Sequence, residues 1–240
     1  MNLEQHKFAN ILAVIAMETP VANRFDVYWK SGVKHQGKIQ VAILADIADK
    51  RIVAELVGMQ HLIDDLEALG NTPAIQGIKL VFSASAVKKV HANRSDKKHL
   101  YPYAYFLTTR FAGVTVAVDQ DDSWIKPRSE DRVTSIQVDE PPGQSIVVNH
   151  VGKILVTRHV LDKFSQRMNN LDPAQTWRHL AKTLASARLD TVQVSETRQD
   201  LDLAQHANQG IRLVDQLSRW CFVIAPNRQG RQTIVTAYLR

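Results

Sequence analysis

The chain has 240 residues, 45% of them hydrophobic, and a formal net charge of +6 with a sequence pI near 9.5. That is enough apolar material for sizeable cores, in one large domain or two ordinary ones. A single cysteine, Cys221, excludes an intrachain disulfide and a cysteine-rich zinc site, and a reducing cytoplasm is the expected setting.

In chain order, "FANILAVIAM" (8–17) is an apolar run without a basic leader or a small-residue cleavage site, and it is too short to span a bilayer. It predicts an amphipathic first helix stopped before Pro20. "NRFDVYWKSG" and "GKIQVAILADI" are rich in β-formers and predict a hairpin. The period then changes. Ile52, Leu56, Met59, Ile63 and Leu66 recur at helical spacing, and Gly70 stands where a C-cap glycine belongs. "GIKLVFSAS" (77–85) predicts a strand buried on both faces, "SAVKKVHA" a brief helix, and "GVTVAVDQDD" (113–122) a further strand ending in acids.

Between about 123 and 150 the text is irregular, and Pro141-Pro142-Gly143 cannot continue a helix or a central strand. This places a first domain at 1–130, a linker or hairpin at 131–149, and a second domain at 150–240. The second domain predicts a strand "KILVT", a helix "RHVLDKFSQRM", and a helix "LDPAQTWRHLAKTLA" with Asp172 as N-cap and Pro173 as first helical residue. Strands around 191–195, 211–215, 219–225 and 232–239 follow, the last two joined by a hairpin loop, "PNRQGR". The expected class is mixed: an α/β mixed-sheet domain, then a small α+β domain of two helices and an antiparallel sheet.

Charge is uneven. Residues 150–240 hold 13 Lys+Arg, 10 of them Arg, against 7 Asp+Glu, so the whole excess lies there. A basic, arginine-rich domain is the electrostatic footprint of a nucleic-acid partner. No P-loop, dinucleotide fingerprint, nucleophile elbow, catalytic-cysteine constellation or histidine metal spacing occurs, and no cofactor or metal is expected.

The order of strands and helices over about 22–125, with Glu55 in "VAELVGMQHLI", resembles the ribonuclease H-like fold. That resemblance implies carboxylates at the first-strand tip, early in the first long helix, at the fourth-strand tip and near the last strand, together holding two divalent cations. Here Lys30 stands at the first position, Glu55 fits the second, Ala84 stands at the third, and Asp119, Asp121 or Asp122 could supply the last. Asp26 lies about 13 Å back along the strand from Lys30 and is a poor substitute. The resemblance therefore implies a degenerate site, inactive as a metal nuclease.

Over 150–240, the "TRH" opening, Arg167 and the closing "IVTAYL" resemble the RelE-like toxins and the barnase- and colicin-type RNases. That resemblance implies metal-free cleavage of RNA by its 2′-hydroxyl. His159 would act as base or acid, Arg158 and Arg167 would stabilise charge, and Tyr238 or Thr236 would donate a hydrogen bond. Lys163, on the same helix face, and Arg219, Arg228 and Arg231 around the final hairpin would contact nucleic acid. The expected function is RNA binding with endoribonuclease activity; the alternative is a non-enzymatic scaffold for nucleic acid or a protein partner. The aromatic cluster "LYPYAYF" could serve as a partner surface or as core. No membrane partner is expected.

Overall fold

The computed structural model describes residues 10–32, 35–70, 77–125, 133–149, 151–185, 189–193, 211–215, 217–227 and 230–239. The chain forms two compact units, Met1–Pro142 and Gly143–Arg240. Each holds one six-stranded mixed sheet.

The first unit contains β1 (Asn10–Glu18), β2 (Arg24–Ser31), β3 (His35–Ile43), α1 (Lys50–Asp64), β4 (Ile78–Phe82), α2 (Ser85–His91), α3 (Tyr105–Thr108), β5 (Thr115–Val118) and β6 (Thr134–Val138). The sheet order is β5-β4-β1-β2-β3-β6. Strands β1, β2 and β3 form an antiparallel meander; β4 runs parallel to β1, β5 parallel to β4, and β6 parallel to β3.

The expected first helix is instead β1. Leu12 through Ala16 are all buried, and β1 lies between β2 and β4 with both edges paired. A short continuous apolar run cannot be told from a buried helix by periodicity, and here pairing on both edges decided it. Leu12, Val14 and Ala16 join the core shared with α1, whereas Ala13 and Ile15 fill the opposite face.

Helix α1 is buried nearly all round, from Ile52 to Gln60 and again from Leu62 to Asp64. It presses against the sheet through Gly58, where an added Cβ would stand 2.8 Å from Cγ1 of Val27. The helix ends at Asp64 with Asp65 as C-cap, so Gly70 caps nothing. Gly70 closes the next turn instead, at φ 82°, donating to the Glu67 carbonyl, and Leu66 is left exposed. Within the stretch expected to be a linker or hairpin, residues 134–138 form β6, which completes the first sheet, and 144–148 form β7, which pairs antiparallel with β8 in the second, so the units divide at Pro142/Gly143. In "LYPYAYF", Leu100, Tyr103, Ala104 and Phe106 belong to the core, and Tyr101 packs at its margin.

The second unit contains β7 (Gln144–Val148), β8 (Gly152–Val156), α4 (Arg158–Arg167), α5 (Pro173–Leu184), β9 (Leu189–Gln193), β10 (Ile211–Asp215), β11 (Trp220–Pro226) and β12 (Gln232–Leu239). Its sheet order is β7-β8-β12-β11-β10-β9, antiparallel except where β8 and β12 run parallel. Thr157 caps α4 by accepting from the Val160 amide, and Asp172 caps α5 by accepting from the Gln175 amide at 2.9 Å ahead of Pro173. Phe164 on α4 packs against Trp220 and Phe222, with ring centroids 4.3 and 6.3 Å apart, and fixes which sheet face the helix covers.

Candidate functional site

In the first unit, the ends of β1 and β4 meet the first turns of α1 around Glu55. Its side chain is fully buried. Oε1 accepts from the Ala16 amide at 3.2 Å and Oε2 from the Ser83 amide at 3.0 Å. The Ser83 hydroxyl also donates to Oε1. One turn earlier, Arg51 Nη1 lies 3.5 Å from Oε1 and donates to Ser83 Oγ at 3.0 Å. One carboxylate therefore ties the central strand, its parallel neighbour and the helix together. Burial raises the carboxyl's pKa above its ordinary range, against the lowering effect of the hydrogen bonds from Ser83 and Ala16 and of the Arg51 charge.

This junction corrects two expectations. Because the sheet begins one strand earlier than the sequence suggested, the residue on the central strand beside Glu55 is Ala16, not Lys30. Lys30 sits on β2 opposite Ala13, its ammonium 4.6 Å from the centroid of the Trp124 ring. The residue at the β4 tip that touches Glu55 is Ser83, and Ala84 is the N-cap residue of α2. Asp119 follows β5 and accepts from the Asp121 amide at 3.0 Å, while Asp121 accepts from the Ser123 amide. Hydrogen bonds from the Ser123 side chain and amide, helped by the Lys30 charge, hold the exposed Asp121 carboxyl below its ordinary pKa. Asp26 is engaged across the hairpin with Lys38 and Gln40. Among the described residues, no group of three or more His, Cys, Asp or Glu side chains is placed to hold a metal ion.

Beside Glu55 opens a cleft of about 290 Å³, lined by Arg51, Lys89, Lys97, Asp96, Ser85 and Gln120 among others. Asp49 precedes α1 in a left-handed conformation, φ 55°, and makes no capping bond of its own. Its carboxylate instead accepts from Lys97 Nζ at 2.6 Å and meets His99 Nε2 at 2.8 Å. The Lys97 hydrogen bond, helped by His99, keeps the Asp49 carboxyl below its ordinary pKa. Lys88, Lys89, Arg94 and Lys98 stand exposed on α2 and the loop after it. Five basic residues in 88–98 against the single acid Asp96 were readable in the sequence. Summing charge over whole domains concealed them.

The second unit scatters the residues expected to act together. His159 and Arg158 are exposed in the first turn of α4, and Arg158 Nε lies 3.6 Å from Asp162. Arg167 lies two turns on, about 12 Å along the axis, and donates to the Ala237 carbonyl at 2.7 Å. Lys163, between them, is partly buried, and its carbonyl accepts a long bond from Arg167. Phe222 pairs with Ala237 on the face that α4 covers, so Tyr238 projects from the opposite face, as does Thr236. Arg219, in the turn before β11, has φ 61°. Arg231 lies past the far end of β11, about 20 Å away along the strand, and its amide donates to Asn227 Oδ1. Arg228 lies outside the described residues. No helix among the described residues is long and apolar enough to cross a membrane. Compared with protein-family models, with curated proteins and with solved structures, the chain matches none.

Proposed function

We propose that this protein binds nucleic acid through a degenerate ribonuclease H-like unit that does not cut. The observation that carries this reading is the lone buried Glu55, turned onto backbone amides at a junction where metal-dependent cleavage would need several carboxylates. The order β5-β4-β1-β2-β3, with three antiparallel strands and then two parallel ones, supports the frame. Ala16 and Ser83 then stand where the partner acids would be. The exposed basic residues of 88–98 supply the phosphate-binding surface. RNA is the target we favour, in a reducing cytoplasm consistent with the one buried cysteine.

The test is fluorescence anisotropy with labelled single-stranded RNA, duplex RNA and an RNA–DNA hybrid over a range of salt, with and without magnesium. The reading expects salt-dependent binding, no magnesium-dependent cleavage, and a shallower salt slope in a Lys88→Gln/Lys89→Gln/Lys98→Gln variant. Magnesium-dependent cleavage lost in Glu55→Gln would overturn it, as would binding indifferent to both salt and the triple variant.

A second reading, a metal-independent endoribonuclease in the second unit, rests on the exposed pair Arg158 and His159 at the start of α4. With Arg167 and Tyr238 placed elsewhere, His159, Arg158 and Lys163 would carry it alone. RNA cleavage without metal that disappears in His159→Ala supports this reading; cleavage unchanged in that variant removes it.

A further inference from the structure

We propose that the cleft beside Glu55 is a site for a dianionic phosphate group, a phosphomonoester at a nucleic-acid end or free phosphate. The inference deepens the nucleic-acid reading and rests on it. Three cations from three segments border one cavity: Arg51 from the first turn of α1, Lys89 from α2, and Lys97 from the loop after it.

Two of these cations are held in place from behind. Ser83 and Glu55 fix one nitrogen of the Arg51 guanidinium, whose side chain is still 42% exposed, and the rest of its donor fork has no recorded partner among the described residues. Asp49 fixes Lys97 by one of its three ammonium protons. Lys89 is exposed and unpaired among the described residues. Cations whose rotamers are already restrained lose less entropy when an anion arrives. Ser85, Ser95 and Gln120 add neutral hydrogen-bonding groups.

The lining contains no aromatic ring, so the cleft suits a phosphate and its sugar rather than a stacked base. A phosphomonoester carries close to two negative charges at neutral pH, against one for an internal diester, and answers three converging cations better. Asp96 is the one carboxylate in the lining, and its charge opposes the anion. The Glu55 carboxylate therefore serves here as a positioning group for Arg51.

The experiment compares RNA 12-mers that are identical apart from a 5′-phosphate, a 3′-phosphate or hydroxyls at both ends, each labelled away from the varied end, at fixed salt. Inorganic phosphate is the competitor. Tighter binding of one phosphorylated end by about tenfold, the worth of one or two charge-assisted hydrogen bonds, is expected. Arg51→Gln should remove that advantage and leave the hydroxyl-ended RNA bound as before; Lys89→Gln should remove it too while weakening the binding of all three RNAs, and Asp96→Asn should strengthen it. Lys89 is exposed, so its variant tests the site even if Arg51→Gln unfolds. Displacement by inorganic phosphate without any end preference keeps the site and assigns it to free phosphate. Equal affinity for all three ends with no competition overturns the proposal, and if the Lys88/Lys89/Lys98 variant still weakens binding, the nucleic-acid reading survives that result.

Discussion

Replacing Glu55 by alanine removes the acceptor for two buried backbone amides, those of Ala16 and Ser83, and for the Ser83 hydroxyl. A buried donor left without a partner costs about 1–3 kcal/mol, so the two amides alone put the loss at about 2–6 kcal/mol. The void left by the truncated side chain adds to this. Relief of the carboxylate's own burial subtracts from it, because that burial raises the pKa of Glu55. Glu55→Gln preserves the volume and one oxygen acceptor but turns an amide nitrogen toward a donor, which leaves one clash of donors and an expected loss of about 1–3 kcal/mol. Urea denaturation monitored by tryptophan fluorescence measures both, with Trp29 and Trp124 reporting the first unit and Trp177 and Trp220 the second. The transition of the first unit should move while that of the second stays. Amide hydrogen exchange at Ala16 and Ser83 should accelerate in the variants. A Glu55→Gln protein as stable as the parent, with those two amides still protected, would refute the clamp and reopen a catalytic role for the carboxylate.

The folded Glu55 carboxyl holds its proton more tightly than its ordinary value of 4.5. Folding therefore retains a proton that the unfolded chain gives up, and first-unit stability should decline as pH rises from 4.5 through the raised folded pKa. Urea midpoints across that range should flatten in Glu55→Gln. Asp49 has the opposite sign: its stabilisation is complete above 3.8 and is lost as pH falls through its lowered folded pKa, a segment that Asp49→Asn should abolish. Gly58→Ala should cost about 1–3 kcal/mol in the same denaturation, because the new methyl meets the stiff, buried Val27. Phe164→Ala should cost the second unit about 3–5 kcal/mol and move only its transition, since Phe164 is fully buried against Trp220 and Phe222.

Where local chemistry is sufficient, the sequence alone determined this protein's structure. Thr157 and Asp172 start α4 and α5 through hydrogen bonds that span three residues, and the apolar stripe of Val160, Leu161 and Phe164 marks the face that α4 buries. Strands β10, β11 and β12 were readable for the same reason, as β-rich runs separated by turn-forming residues. Only tertiary structure could decide β1. Leu, Ala and Met in "ILAVIAM" suit a helix, and pairing to β2 and β4 on both edges overrode that preference. Misreading β1 displaced the expected site by one strand, to Lys30, and at the end of β4 the expectation fell one residue late, on Ala84 instead of Ser83. The observed junction links Glu55 to residues 39 and 28 positions away, and no periodicity encodes such distances. Likewise Arg51, Lys89 and Lys97 border one cleft only because α1, α2 and the following loop come together at the end of β4. Spacing along the chain specifies faces and caps, but which faces meet is decided by the packing of the whole unit.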